Sequence, residues 1–460
     1  MYYIPAYFTF LSKLINAVTH IAEEQENIGH LSLLDGQFSI RSAFESSLYF
    51  SLRYSKVLFS YSCRQKHPKF RMNPLEASIA EKFSSIFNNQ SLYPLLSATS
   101  LAYGSSLRPC PPVCFMVIHE RFVRYLLPIV EGLKKQGIKY YFLVPPSLLS
   151  DITHLLSDLD IPFVDTSSKY TGGSLQSQQT IADKCHTLLN IFSVLYREIK
   201  KLKPGVLVVA DGNSPHDKLI NIVGQALSIP TICIQHGHAS ILYNGYRNNT
   251  YTKFLVWGNW FQHHLQSVNP KQRFIVTGAH SLGEKAISFQ DRSAICFFIQ
   301  APDLLIDKAS CSTMLELARW TATKIPSLQV FIREHPAKPV VGLYNKFRDL
   351  PNLQLVPADQ VPLAEILSQC RTSISVFSTT IIESLACGVH PIELNVSGYP
   401  AYLPGIQLDS PKSLEEAQSS IVNSLIIDDK QARCQNSEIN LVARFGGTAI
   451  NRIIEEILTP

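Results

Sequence analysis

The chain has 460 residues, which is long for one ordinary domain, so two domains and an additional segment are expected. Hydrophobic residues make up 46% of the chain and charged residues 17%, as is typical of a globular protein with large cores. The formal net charge of +5 is too small to indicate a nucleic-acid partner.

Neither the apolar segments nor the cysteines suggest secretion or membrane insertion. No uncharged apolar stretch is long enough to span a bilayer, and the apolar N-terminus lacks the basic region and cleavage site of a signal peptide. The ten cysteines are scattered. Cys110 and Cys114 flank two prolines, but no second pair at metal-binding spacing follows, so zinc is not expected. Scattered cysteines suit a reducing compartment, and the sequence therefore predicts a cytoplasmic protein.

Residues 1–105 show no alternation of strands and helices. Apolar residues at helical spacing over residues 8–24 and 75–87 predict a mainly helical N-terminal extension.

A basic and aromatic stretch, residues 51–75, lies within this extension. It has six cationic side chains and no acidic ones: Arg53, Lys56, Arg64, Lys66, Lys69 and Arg71. Aromatic residues lie between them: Tyr54, Phe59, Tyr61 and Phe70. Such a stretch can bind an anionic membrane surface, which would place the protein at the inner face of the membrane. A solvated basic face over an aromatic core patch explains it equally well.

From residue 111 onward, continuous apolar runs of strand length alternate with helical patterns. Such runs predict parallel sheets covered by helices on both faces. We predict a Rossmann-like acceptor domain at residues 106–280, a polar linker at 281–293, and a Rossmann-like nucleotide-sugar-binding domain at 294–460. The predicted fold is α/β, with two doubly wound parallel-sheet domains facing a cleft, and ligands belong at the carboxyl ends of the strands.

In the first predicted domain, candidate bases follow the strands. Asp211-Gly212 comes after VLVVA, and His236-Gly237 comes after TICIQ. Either residue can take a proton from an acceptor hydroxyl. Glu120, after the first strand, is a further candidate. The alternatives are that Asp211 only caps the next helix and that His236 is a turn histidine. The remaining histidines of this domain are interpreted as structural or surface residues: His238, His263, His264 and His280.

In the second predicted domain, two motifs suit an anion. A strand over residues 329–332 is expected to end at Arg333-Glu334-His335-Pro336, because Pro336 disfavours helical backbone at His335. A second strand leads through Ser378-Thr379-Thr380 into a helix containing Glu383. The helix start, Arg333 and His335 can bind a nucleotide phosphate, and Glu383 can accept ribose hydroxyls. The alternative is that Thr380 and Glu383 form a capping box that needs no ligand.

These motifs resemble those of bacterial surface-polysaccharide transferases with the GT-B fold, over residues 111–460. Bacterial sialyltransferases carry acidic-Gly, His-Pro and Ser-Ser/Thr motifs, which Asp211-Gly212, His335-Pro336 and Ser378-Thr379 match. Position 210 is Ala, where that pattern has a second acid. Teichoic-acid glycerophosphotransferases and capsule Kdo transferases are also similar. The glycerophosphotransferase motifs are matched by His236-Gly237, by Arg333 with His335, and by the same hydroxyl pair.

The resemblance implies an inverting glycosyltransferase. It would move a sugar from a CMP- or UDP-linked donor to a bacterial surface glycan, such as capsule or lipopolysaccharide, or to its lipid-linked precursor. No Asp-x-Asp pair accompanies the candidate site motifs, so neither a metal nor a cofactor is expected. A sugar-nucleotide 2-epimerase shares the expected fold, but its His-Gly-Glu signature is not visible. A third hypothesis is a catalytically silent protein that binds a glycan or acts as a scaffold.

Overall fold

The computed structural model describes most of the chain, with several gaps. The described residues are 4–33, 37–62, 73–77, 79, 112–145, 151–166, 180–240, 244–282, 292–303, 306–335, 339–357, 360–426 and 441–460. They form two compact units. The larger unit consists of Phe10–Ser281 and Ala443–Pro460, and the smaller unit of Met1–Thr9 and Leu282–Val442.

The larger unit is built on a seven-stranded sheet in which every pair is parallel. Its strands are β3 (Val113–Met116), β4 (Tyr140–Val144), β5 (Phe163–Asp165), β6 (Val206–Ala210), β7 (Thr231–Ile234), β8 (Lys253–Val256) and β9 (Phe274–Val276). They lie in the order β5-β4-β3-β6-β7-β8-β9. The strand order therefore reverses between β3 and β6, and the carboxyl ends of these two strands border the position where such sheets bind ligands.

Helices cover this sheet, and a short antiparallel pair, β1 (Ser32–Leu33) with β2 (Phe38–Ser39), lies in the N-terminal segment. The helices up to this sheet's end are α1 (Ile4–Asn27), α2 (Arg41–Leu52), α3 (Lys56–Ser62), α4 (Glu120–Lys135), α5 (Asp151–Asp158), α6 (Ile181–Leu202), α7 (Pro215–Leu227) and α8 (Asn259–Gln266). α2 packs against α6, α7 and the 3-10 turn Asn244–Tyr246. Part of the N-terminal segment is thus built onto the larger sheet.

The smaller unit has a five-stranded sheet, again parallel throughout. Its strands are β10 (Ala294–Ile299), β11 (Gln329–Glu334), β12 (Leu353–Val356), β13 (Cys370–Ser375) and β14 (His390–Glu393). Its helices are α9 (Lys308–Lys324), α10 (Leu343–Phe347), α11 (Leu363–Gln369), α12 (Thr380–Ala386) and α13 (Leu414–Ser424). The order β12-β11-β10-β13-β14 reverses between β10 and β13. This reversal point borders the second candidate site.

These two sheets confirm the predicted α/β fold class, because β3 and β6 are completely buried, as apolar runs in a parallel sheet should be. The predicted end of β11 at Ile332 is wrong by two residues. The parallel ladder with β10 continues through Arg333, opposite Phe298, and Glu334, opposite Ile299. Pairing with β10 extends the strand beyond the apolar run, and it still ends directly before His335-Pro336.

The last helix, α14 (Gly446–Leu458), packs against α4 in the larger unit. Ile453, Ile454 and Ile457 belong to the core cluster of the larger sheet. Gly132 of α4 allows this approach, since a Cβ at that position would overlap the Ile454 side chain. The sequence-based domain limits placed residues 443–460 with the second sheet, whereas their contacts place them with the first.

A buried ion pair joins this last helix to the sheet. Lys253 Nζ of β8 donates to Glu456 Oε2 at 2.6 Å and also to the backbone carbonyl of Glu456 at 3.2 Å. Lys253 is 2% exposed and Glu456 is 6% exposed, so the Lys253 ammonium depends on Glu456 for compensation in the interior. Arg452 of the same helix also pairs with the Glu456 carboxylate, at Oε1.

Parts of the predicted N-terminal extension lie outside the described residues. Most of the second predicted helix, residues 75–87, is not described. In the basic and aromatic stretch, Arg64, Lys66, Lys69 and Arg71 also lie outside, and membrane binding stays a prediction. Among the described residues, no helix combines the length and apolar character needed to cross a membrane.

We predict that Lys253→Met lowers the free energy of unfolding by roughly 3 kcal/mol, because the buried Glu456 carboxylate loses one of its two cationic partners and keeps only Arg452. Chemical denaturation measures this loss. Arg319→Met is the matched control. Arg319 and Asp349 form an exposed pair at 2.8 Å, and its loss should cost no more than about 1 kcal/mol. Equal losses in the two variants would contradict the structural role given to the buried pair.

Candidate active site

In the smaller unit, a pocket of about 110 Å³ opens where the strand order reverses. It is lined by the ends of β10 and β11 and by the turn after β13, including Gln300, Arg333, His335, Ser378 and Thr380. Complete ligand sites are usually roughly 300–1,000 Å³, so this pocket fits one group of a ligand, such as a phosphate. The predicted Arg-x-His and hydroxyl motifs are therefore brought to one pocket.

Arg333 and His335 are placed by β11. Arg333 is half-buried, and its Nη1 donates to the carbonyl of Val361. Burial lowers the pKa of the Arg333 guanidinium from its usual value, and Glu383 is among the groups that oppose this shift. His335 is exposed, and its backbone N–H donates to the carbonyl of Ile299 at 2.8 Å, which fixes it beside the end of β10. Pro336, also predicted for this site, lies outside the described residues.

The hydroxyl turn at Ser378, Thr379 and Thr380 is held by aromatic packing. Phe377 has φ of 40°, a left-handed conformation that is unusual for a bulky residue and therefore needs support from its surroundings. Its ring stacks on Tyr399 at 5.6 Å and meets Tyr402 edge-on at 5.0 Å. Tyr402 also lies within hydrogen-bond distance of the Thr379 hydroxyl, at 3.2 Å. The aromatic residues thus fix both the backbone and one hydroxyl of the turn.

The capping-box alternative for Thr380 and Glu383 is wrong. Thr379 is the N-cap of α12, and its side chain makes no capping hydrogen bond. The Ser378 hydroxyl instead accepts from Thr380 N at 3.3 Å and from Thr380 Oγ1 at 3.0 Å. Glu383 is half-buried, and burial raises its pKa to about 7, against the attraction of Arg333. Glu383 and Arg333 thus interact within the candidate nucleotide site.

In the larger unit, Asp211 follows β6 with φ of 81° and precedes Gly212 with φ of 72°. Its carboxylate Oδ1 accepts a hydrogen bond from the hydroxyl of Tyr246. The alternative that Asp211 caps the next helix is wrong. Ser214 is the N-cap of α7, in a reciprocal capping box with Asp217. The Asp211 side chain is therefore not needed to begin that helix.

His236 follows β7 and packs against two rings of α4. Its ring centroid lies 4.9 Å from that of Phe122 and 4.7 Å from that of Tyr125, both edge-on. Burial lowers the pKa of His236, while Asp211 opposes that change. The imidazole is therefore suited to accept a proton at neutral pH, and the two predicted bases lie within electrostatic reach of each other.

Glu120 is the exposed first residue of α4 rather than a loop residue. In the described part of the chain it forms no hydrogen bond or ion pair with Asp211 or His236. The preceding His119 caps the helix through Nδ1, which accepts from Arg121 N at 3.2 Å. His119 and Arg121 both lower the pKa of His236 further.

Sequence reasoning missed a group of buried polar residues behind the Asp211 turn. Burial raises the pKa of Asp217 to about 7 and lowers that of its neighbour Lys218 to about 8. Lys218 donates to Asn249 Oδ1. The signal for Asp217 was present, because Ser214 followed by Pro215 and an acid at the third position is typical of a helix start. Tyr246 carried no such signal.

Within the described residues, no group of three or more histidine, cysteine, aspartate or glutamate side chains is arranged to hold a metal ion.

The chain matches no protein-family model and no curated protein. Its fold is similar to several solved structures. MurG of Acinetobacter baumannii is 15% identical, with TM-score 0.51, over 75% of this chain and 99% of MurG. The glycotransferase of kitacinnamycin is 14% identical, with TM-score 0.50, over 77% of this chain and 100% of the glycotransferase. A putative UDP-N-acetylglucosamine 2-epimerase from Listeria monocytogenes is 12% identical, with TM-score 0.51, over 75% of this chain and 95% of the epimerase. These similarities establish the GT-B fold.

We predict that the Glu383 carboxyl makes stability depend on pH. Its pKa rises from 4.5 to about 7 in the folded protein, so the folded protein keeps a proton that the unfolded chain releases between these values. Stability therefore falls as the pH rises through this window. In Glu383→Gln, the difference in melting temperature between pH 5 and pH 8 should shrink. An unchanged difference would show that the carboxyl is ionised in the folded protein across this range.

Proposed function

We propose that this protein is an inverting, metal-independent glycosyltransferase that uses a CMP- or UDP-linked sugar. The supporting observation is the pocket at the strand reversal of the smaller sheet, where Arg333, His335 and the Ser378–Thr380 turn meet, with Glu383 close to Arg333. A cation and hydroxyl donors suit a leaving phosphate, and a carboxylate suits ribose hydroxyls. The proposed acceptor is a bacterial surface glycan or its lipid-linked precursor, as in the transferases whose motifs the sequence resembles.

The proposed reaction is a single displacement. Asp211 or His236 takes the proton from the acceptor hydroxyl, and the acceptor oxygen forms a bond to the anomeric carbon of the donor. The bond between that carbon and the phosphate oxygen breaks, and its electron pair goes to the nucleotide phosphate. Arg333, His335 and the hydroxyl turn stabilise the charge that develops there.

A sugar-nucleotide 2-epimerase is the alternative, since a putative enzyme of that kind has a similar fold. We favour the transferase because His236-Gly237 is followed by His238 where the epimerase signature has a glutamate. An epimerase would convert its sugar nucleotide without an acceptor, whereas the transferase releases nucleotide only when an acceptor is supplied. A catalytically silent protein would do neither.

We predict that His335→Ala removes most transfer activity and leaves the fold intact, because His335 is exposed at the pocket. Thermal shifts with CMP, CDP, UDP and GDP identify the nucleotide that binds the folded wild type, and the variant should lose that shift. His263→Ala, at an exposed histidine of α8, is the matched control and should keep both properties. Normal turnover and binding in a folded His335→Ala protein would refute the nucleotide-site assignment.

We predict that Asp211→Asn and His236→Ala each reduce turnover, and that only loss of the true base removes the acidic limb of the pH–rate profile. The profile is measured at saturating donor and acceptor. If neither variant changes turnover by more than about tenfold, which is roughly 1.4 kcal/mol of barrier, the base lies elsewhere and Glu120 is the next residue to test.

We predict that EDTA does not abolish activity, because Arg333 and the hydroxyl turn can neutralise the departing phosphate and no Asp-x-Asp pair accompanies the candidate site motifs. Turnover is compared before and after chelation and again after Mg²⁺ or Mn²⁺ is added. Loss on chelation with recovery on adding either ion would require a metal-dependent mechanism.

A further inference from the structure

The turn that carries Asp211 has an unfavourable backbone conformation. Asp211 has φ of 81°, in the left-handed region where residues with a Cβ are uncommon. Gly212 follows at φ of 72°, and a Cβ there would lie 2.5 Å from the Cys233 sulfur. Such a conformation persists only when the surrounding structure imposes it, and it is frequent at functional sites.

Three side chains from two segments, the connection between β7 and β8 and the helix α2, impose it. The Tyr246 hydroxyl donates to Asp211 Oδ1, the Tyr251 hydroxyl donates to the carbonyl of Gly212 at 3.3 Å, and Ser46 Oγ of α2 donates to the carbonyl of Asn213 at 2.9 Å. Each residue of the turn therefore accepts one hydrogen bond from outside it. The 3-10 turn also packs directly on Asn213, since a Cβ at Gly245 would overlap the Asn213 side chain and carbonyl.

Tyr246 is itself firmly held. It is 3% exposed, and its carbonyl accepts from Asn269 Nδ2 at 2.8 Å. Asn269 is 1% exposed, and it also donates to the carbonyl of Leu265 and accepts from Asn249 N, both at 2.8 Å. A buried phenol anchored in this way has little freedom to turn its hydroxyl away from the carboxylate.

We propose that Tyr246 is the positioning residue for Asp211, and that the 3-10 turn and α2 together hold the Asp211 turn for proton transfer. The proposal rests on the proposed function, in which Asp211 is the base. With Oδ1 held by the phenol, Oδ2 is the oxygen that takes the proton of the acceptor hydroxyl. Part of the N-terminal segment thereby has a role at the active site, because Ser46 belongs to α2.

Tyr246→Phe tests this, since it removes one oxygen atom and keeps the ring. We expect turnover to fall by about tenfold or more with little change in the donor KM, because the carboxylate loses its orientation while the nucleotide pocket is untouched. The acidic limb of the pH–rate profile should move to higher pH, because a hydrogen bond to a carboxylate favours its charged form.

Tyr251→Phe is the matched control. Tyr251 is also 3% exposed, and its hydroxyl contacts the same turn at the backbone of Gly212 rather than at the carboxylate. We expect a smaller fall in turnover than in Tyr246→Phe and an acidic limb that stays in place, whereas general loosening of the turn would affect both tyrosine variants alike.

A second measurement does not depend on activity. The melting temperatures of wild type, Tyr246→Phe, Asp211→Ala and the double variant form a cycle in which the strain of alanine at a positive φ cancels. We expect non-additive shifts, because each single change already removes the shared hydrogen bond. Additive shifts would show that the two side chains do not interact and would overturn the proposal.

The results can distinguish an error in the assignment of Asp211 as the base from an error in the positioning role of Tyr246. Full activity in Asp211→Asn would refute the base assignment, whatever Tyr246 does. An inactive Asp211→Asn together with unchanged turnover and an unmoved acidic limb in Tyr246→Phe would refute the positioning role and leave the base assignment standing.

Discussion

The burial of parallel strands on both faces is the constraint on which this structure depends. Apolar side chains fill both faces of strands such as β3 and β6, so polar chemistry cannot be placed along them. It is placed instead where the strands end, and parallel strands all end at the same edge. Asp211 and His236 at one sheet, and Arg333 and His335 at the other, reach their sites for this one geometric reason.

Burial also determines the protonation of the groups around those sites. Glu383 and Asp217 are carboxyls with pKa values raised to about 7, and His236 is an imidazole with a lowered pKa. In each case, removal from water disfavours the charged form. The same effect that stabilises the sheets therefore sets which groups near the strand ends can accept a proton at neutral pH.

The features that could be predicted from the sequence are those that depend on local residue patterns. Runs such as VLVVA identify buried strands, and residues that follow them, such as Asp211 and His236, can be placed at a sheet edge without a structure. Two local alternatives failed because other residues occupy the N-cap positions, namely Ser214 at α7 and Thr379 at α12. β11 is two residues longer than its apolar run because pairing with β10 extends it to Glu334.

What escaped prediction depends on contacts between distant positions. Tyr246 lies 35 positions from Asp211, and no local pattern relates a tyrosine after an Asn-Gly pair to an aspartate in another loop. The placement of α14 was missed for the same reason. The apolar face of α14 predicts only that the helix is buried. The role of Gly132, which leaves room for Ile454, is visible only when α4 and α14 are packed together.

The position of α14 has a consequence for the order of events during synthesis. The core of the larger sheet includes Ile453, Ile454 and Ile457, yet residues 282–442 of the smaller unit leave the ribosome before them. The smaller unit can therefore pack its own core while the larger sheet, although mostly translated earlier, still has an apolar surface uncovered. That surface is where chaperones should bind the nascent chain, and their release should follow the docking of the last helix.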